Sequence, residues 1–152
     1  MHTLYTIGYQ QCSLADFIGL LQQAGVDAVI DVRLRPTSDL DGYAKQADLA
    51  FLLSEGFGIA YEHHPELAPT AEILDDSRVD GDWPRYVARF TALLAEREPE
   101  LVGRDILARY RAPCLLCYEA TAEQCHRRLV AELWAAQIPE LTVVHLTRES
   151  AS

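Results

Sequence analysis

Three short clusters hold the residue types that do chemistry. The first is Asp31-Val32-Arg33, with Arg35 close behind. An acid at the end of an apolar run is costly to bury unless it is paired or hydrogen-bonded. Asp31 therefore either closes a local ion pair or turn before Pro36, or holds one guanidinium while the arginines present their forks to an anion. The second cluster is Cys117-Tyr118-Glu119 followed by Cys125-His126-Arg127. A thiol, a carboxylate, an imidazole and a guanidinium in one neighbourhood suit nucleophilic or acid–base chemistry. The alternative is packing, with Cys125 facing a sheet and Arg127 and Arg128 as solvated helix residues. The third is Tyr61-Glu62-His63-His64-Pro65, whose histidines are general bases or ligands, or else exposed and inert.

Other patterns fail on inspection. Cys114-Leu-Leu-Cys117 spells a redox motif, but an offset of three in a strand points the two thiols to opposite faces. A cysteine-type phosphatase needs arginine six residues after its cysteine, and that position after Cys117 is Glu123. No dinucleotide fingerprint and no P-loop occurs. Cys117, Cys125 and His126 with His63 or His64 have the softness of zinc ligands, but their spacing matches no standard zinc framework. No metal is expected, and the sequence names no cofactor.

The elements that must position these clusters alternate between strand and helix. Thr3 to Ile7 reads as a strand ended by Gly8. Ser13 and Asp16 then make a capping-box-like start, Leu14, Phe17, Ile18 and Leu21 follow at helical spacing, and Gly25 closes the helix. Val26 to Val32 is nearly continuously apolar, as a parallel strand buried on both faces requires. Gln46 to Leu53 reads as a short helix and Gly58 to Glu62 as a weaker strand. Pro84 suits the first turn of a helix whose apolar face is Val87, Phe90, Thr91 and Leu94. Leu101 to Tyr110 is a further helix, Cys114 to Tyr118 a strong strand, and Leu141 to Leu146 a last strand. Between those two strands, Thr121 and Gln124 form a second capping-box pattern before a helix with the buried stripe Leu129, Val130, Leu133 and Trp134. Trp83 reads as a hydrophobic staple at its helix start rather than a pocket wall.

The pattern predicts one α/β domain over residues 1–152, in three layers, with a mainly parallel sheet of about five strands and helices on both faces. Residues 146–152 are expected to form a loose tail. Ligands in such sheets bind beyond the carboxyl ends of the strands. The residues there are Gly8-Tyr9, Asp31-Val32-Arg33, Glu62-His63-His64 and Tyr118-Glu119.

Composition narrows the function. With 152 residues and 49% hydrophobic content, the chain can bury a core without disulfides or metals. Its net charge of −10 opposes duplex nucleic acid and anionic membrane, although a local basic site can still hold one anion. No apolar run is long enough to cross a membrane, the N-terminus lacks the pattern of a signal peptide, and four cysteines suggest reduced thiols in a cytoplasm.

With these residues in view, the chain resembles the family known as domain of unknown function 488. The matching pieces are Thr6-Ile7-Gly8-Tyr9, Asp31-Val32-Arg33 with Pro36 and Ser38, Gly58-Ile59-Ala60-Tyr61 before His63, Leu115 to Glu119, Cys125-His126-Arg127, and Val144-His145. The chain departs from the family pattern at Ala68-Pro69 and at Asp39, where a substrate loop would sit. The resemblance implies an α/β fold and fixes no activity. It does imply that the first two clusters belong to one site. A fainter similarity is to rhodanese-like sulfurtransferases, in which Cys117 would carry a persulfide.

The leading expectation is an enzyme or ligand-binding protein with a small anionic, nucleotide-like ligand. Its catalytic candidates are Asp31, Cys117, Glu119, Cys125 and His126. Its ligand-binding candidates are Tyr9, Arg33, Arg35, Tyr61, His63 and Arg127. The alternatives are a non-catalytic nucleic-acid or protein-binding module, and a persulfide carrier or Cys/His metal protein.

Overall fold

The computed structural model describes residues 2–148. Five strands form one sheet: β1 (His2–Gly8), β2 (Ala28–Asp31), β3 (Ala60–His63), β4 (Pro113–Cys117) and β5 (Leu141–His145). Their spatial order is β3-β2-β4-β1-β5, and every pairing is parallel. The central strands β2 and β4 are buried along their whole length, which is why they read as apolar runs rather than alternating ones.

Among the described residues six helices cover the sheet: α1 (Leu14–Ala24), α2 (Gln46–Phe51), α3 (Ala71–Asp80), α4 (Trp83–Glu96), α5 (Pro99–Arg109) and α6 (His126–Gln137). Short 3₁₀ turns at Asp39–Ala44 and Pro65–Leu67 and a π turn at Leu52–Gly56 fill the connections. The two hydrophobic cores lie on opposite faces of the sheet. One joins Phe17, Leu21 and Leu49 from α1 and α2 to Val29, Cys114 and Leu116. The other joins Phe90, Ile106 and Trp134 from α4, α5 and α6 to Ile30, Leu115 and Cys117. The two thiols of Cys114 and Cys117 thus lie on opposite faces, as an offset of three in a strand requires. Gly103 is where α5 meets α6, because a Cβ there would lie 2.8 Å from the Trp134 ring.

The connections place the site. The neighbours β4 and β1 send their chains to opposite faces, β1 into α1 and β4 into α6. A crevice opens between strand ends at such a reversal. Register brings Gly8 level with Cys117, and Asp31 level with both Leu116 and His63.

The structure corrects several local expectations. The helix after β4 does not start at Thr121. Residues 118–125 form a loop, and α6 begins at His126 with Cys125 as its cap residue. The Arg127 guanidinium holds the Glu119 carbonyl, so the chain stays in the loop until it has passed that anchor. Thr91 is exposed, and Tyr86 takes its place on the buried face of α4. Trp83 stacks on Tyr86 with ring centroids 5.1 Å apart and lines the cleft described below. Helix α3 was not expected at all. Leu146 is buried, and its amide donates to the Thr6 carbonyl at 2.7 Å. Residues 149–152 of the expected tail lie outside the described residues. Among the described residues no helix is long and apolar enough to cross a membrane.

Asp27 clamps the start of β4 from the start of β2. Its carboxylate accepts the amides of Arg111 at 2.8 Å and Ala112 at 2.9 Å. Ala112 is a buried residue. Asp27→Ala is expected to lower the unfolding free energy by about 1–3 kcal/mol, the cost of an unsatisfied buried donor. Urea denaturation measures it, and Asp27→Asn, which keeps one acceptor oxygen, should lose less.

Candidate functional site

Asp31 ends β2 with its side chain wholly buried. It is not left alone. Its carboxylate accepts the Arg33 backbone amide at 3.1 Å, Arg33 Nε at 2.8 Å and Arg33 Nη2 at 2.7 Å. The Tyr61 hydroxyl donates to it as well. Burial opposes the charge on Arg33, but the Asp31 carboxylate more than offsets this and raises the arginine's pKa. Burial first, and the Asp31 charge second, push the Tyr61 phenol up, so it stays a proton donor.

The turn after Asp31 is fixed from outside by two histidines. His126 Nε2–H donates to the Val32 carbonyl at 2.6 Å, and His63 Nε2–H donates to the Arg33 carbonyl at 2.7 Å. Arg33 Nη2 also donates to the Ala44 carbonyl at 2.7 Å. Three of the guanidinium's directions are thus taken. Its Nη1 has no hydrogen-bond partner among the described residues, although Arg33 is only 7% exposed. The nearest acid to that atom is Asp41 Oδ2 at 3.8 Å, too far for a hydrogen bond. Asp41 in turn accepts the Tyr9 hydroxyl, and the Tyr9 ring lies 5.1 Å from the Arg33 guanidinium carbon. Burial and that bond raise the Tyr9 pKa.

Arg33 faces a cleft of about 700 Å³ at the carboxyl ends of the strands. Tyr9, Arg33, Arg35, Cys117, Glu119 and His126 line it together. Asp31, Tyr61 and His63 stand behind the lining and hold Arg33 and its turn. Cys125 and Arg127 also lie behind it. Arg127 is wholly buried and braces three elements: Nε donates to Thr6 Oγ1 at 3.2 Å, and Nη1 donates to the Glu119 carbonyl at 2.7 Å and to Cys125 Sγ at 3.3 Å. Thr6 passes the contact on to His145 Nδ1 at 2.6 Å. Burial, and then the Arg127 charge, hold His145 below its ordinary pKa. Arg127, a ligand-binding candidate in the sequence with a solvated helix position as the alternative, is instead a brace in the core behind the cleft lining.

Part of the cleft comes from residues not among the site candidates, Trp83 included, which the sequence reads as a staple and the structure makes a wall. Helix α3 contributes Leu74, Asp75 and Arg78, and the α3–α4 corner adds Trp83 and Tyr86. The signal for α3 was present in Thr70, whose hydroxyl accepts the Ile73 amide at 3.2 Å, and in Gly81, which ends the helix at φ 61°.

The thiol at the cleft floor has a specific geometry. Cys117 Sγ lies 3.5 Å from Glu119 Oε2. It lies 3.5 Å from His126 Nδ1 and 3.8 Å from His126 Nε2. A sulfur nearly equidistant from both ring nitrogens sits out of the imidazole plane, not along a nitrogen lone pair. Glu119, not His126, is thus placed to take the Cys117 proton. The same geometry bears on metal binding. The donor atoms of Cys117, Cys125 and His126 lie within 4.8 Å of one another. A metal bound to imidazole lies in the ring plane, and Nε2 is already committed to Val32. The cluster as folded does not fit a metal shared by Cys117 and His126.

An all-parallel α/β sheet with a charged cleft beyond its strand ends defines the class. The chain belongs to the family described as domain of unknown function DUF488, whose model matches residues 13–134. None of the curated proteins and none of the solved structures compared with it matches.

Proposed function

We propose that the protein is an enzyme acting on a small anionic, nucleotide-like substrate held in the strand-end cleft. Arg33 binds the anion, and Glu119 and His126 exchange protons with the substrate. The observation that carries this reading is Arg33 Nη1, a buried donor with no hydrogen-bond partner among the described residues, on a side chain that lines the cleft. Leaving such a donor unmade costs about 1–3 kcal/mol, which a ligand oxygen recovers. Asp31 and the Ala44 carbonyl fix the guanidinium, so no side-chain ordering is needed when the ligand arrives. Trp83 and Leu74 on the other wall give a flat group something to pack on, and Asp41 and Glu119 give ligand hydroxyls acceptors.

Calorimetric titration with a 5′-nucleoside monophosphate, and with inorganic phosphate, tests the reading. Arg33→Lys keeps the charge but loses the fork. Saturable binding that weakens about tenfold or more in Arg33→Lys, a change of about 1.4 kcal/mol, is the expected result. No binding of either anion by the parent at low salt, or equal binding by parent and variant, overturns it.

A further inference from the structure

Cys125 has no part in that reading, and neither does the charge beside it. Arg127 is wholly buried, yet no carboxylate among the described residues pairs with it. Its partners are a hydroxyl, a carbonyl and the Cys125 sulfur, and its Nη2 has no hydrogen-bond partner among the described residues. An unpaired buried cation is expensive. The thiol it touches, Cys125, is able to become anionic without leaving the core, and Cys117 stands next to that thiol. The two sulfurs lie within 4.8 Å of each other. Cys117 lines the cleft and Cys125 lies behind it, 1% exposed, and both are free thiols. The loop of residues 118–125, with no regular secondary structure, joins them.

We propose that Cys117 and Cys125 form a dithiol–disulfide couple, with Cys117 as the attacking thiol and Cys125 as the resolving one, reducing small disulfides that enter the cleft. Glu119 takes the Cys117 proton. The Cys117 thiolate attacks one sulfur of the incoming disulfide, forming a mixed disulfide and expelling a thiolate that takes the proton from Glu119. Cys125 then attacks the Cys117 sulfur, the second substrate thiolate leaves, and the Cys125 proton goes to it. The protein loses two hydrogens as two electrons pass to the substrate, which becomes two thiols. Burial, and next the neighbouring Cys117, push the Cys125 thiol well above its ordinary range. Once Cys117 is in a mixed disulfide its negative charge is gone, while Arg127 at 3.3 Å still favours the Cys125 thiolate. The first step thus removes the Cys117 contribution that holds the Cys125 proton, while burial stays.

This inference stands apart from the anion reading, and its test uses a neutral reagent, bis(2-hydroxyethyl) disulfide. The native protein is treated, quenched by acid and mapped by peptide mass spectrometry. The parent should lose two hydrogens and yield the Cys117 and Cys125 peptides joined to each other. Cys125→Ser should stop at a stable adduct on Cys117, and Cys117→Ser should leave Cys125 unmodified. The parent map needs no variant, so a variant that fails to fold does not block the test. A lasting adduct on Cys117 in the parent overturns the resolving role. Modification of Cys12 alone, or of no cysteine before unfolding, overturns the couple.

Discussion

Asp31→Ala is expected to lower the unfolding free energy by about 3–5 kcal/mol, the range for removing one partner of a buried ion pair. The side chain is wholly buried, and Arg33 is 7% exposed. Four donors converge on the carboxylate: the Arg33 amide, Nε and Nη2, and the Tyr61 hydroxyl. Removing it leaves burial to act on a guanidinium held only by the Ala44 carbonyl, the Tyr9 side chain and the more distant Asp41 among the described residues. Asp31→Asn keeps one acceptor oxygen and should recover part of the loss. The double change Asp31→Leu with Arg33→Met decides why the pair is there. Replacing a buried pair by apolar side chains is often neutral or stabilising. A double variant as stable as the parent but unable to bind an anion would assign the pair to the ligand rather than to the fold. Urea denaturation gives the stabilities. A loss below about 1 kcal/mol in Asp31→Ala, the range of exposed ion pairs, would sink the argument.

How far the sequence foretells this site follows from which elements build it. Strands β2 and β4 are buried along their whole length, so their apolar runs and polar ends stand out, and Asp31 and Cys117 fall at the ends of both. The strand-end rule then brings Tyr9, Arg33, Glu119 and His126 into one region. The opposite wall is silent for a physical reason. Helix α3 buries only Ile73, so it shows almost no apolar stripe and is betrayed only by its cap and closing glycine. The role of Arg127 was equally hidden. The sequence offers it as an anion ligand or a solvated helix residue, and only the tertiary fold places Thr6, the Glu119 carbonyl and Cys125 around it. The pairing of Cys117 with Cys125 depends on the same fold. Spelling points to Cys114 with Cys117, which the pleat separates, while the loop of residues 118–125 returns the chain so that a thiol eight residues away stands close.

Gly8→Ala carries the largest expected effect on the cleft itself. A Cβ at Gly8 would lie 1.6 Å from the Glu119 carbonyl oxygen and 2.5 Å from its carbon, inside any contact distance. Those atoms are backbone, so no rotamer change relieves the clash. The cost is steric rather than conformational, because Gly8 sits in an ordinary strand. Overpacking typically costs about 1–3 kcal/mol, and a backbone clash belongs at or above the top of that range. The loop must retreat, and two bonds go with it: Arg127 Nη1 to the Glu119 carbonyl at 2.7 Å and the Gln10 amide to the Tyr118 carbonyl at 2.9 Å. Losing the first strips the wholly buried Arg127 of its shortest hydrogen bond. Gly19→Ala is the control, since a Cβ in the middle of α1 meets nothing within 4 Å. It should stabilise by about 0.5–1 kcal/mol through helix propensity alone. Denaturation should therefore give the two glycine variants opposite signs. Alkylation of Cys117 reports the cleft, because its proton acceptor Glu119 rides on the displaced residue. A Gly8→Ala protein that keeps both the parent's stability and its Cys117 alkylation rate would show that the strand end yields instead, and that the 118–120 loop is not what Gly8 serves.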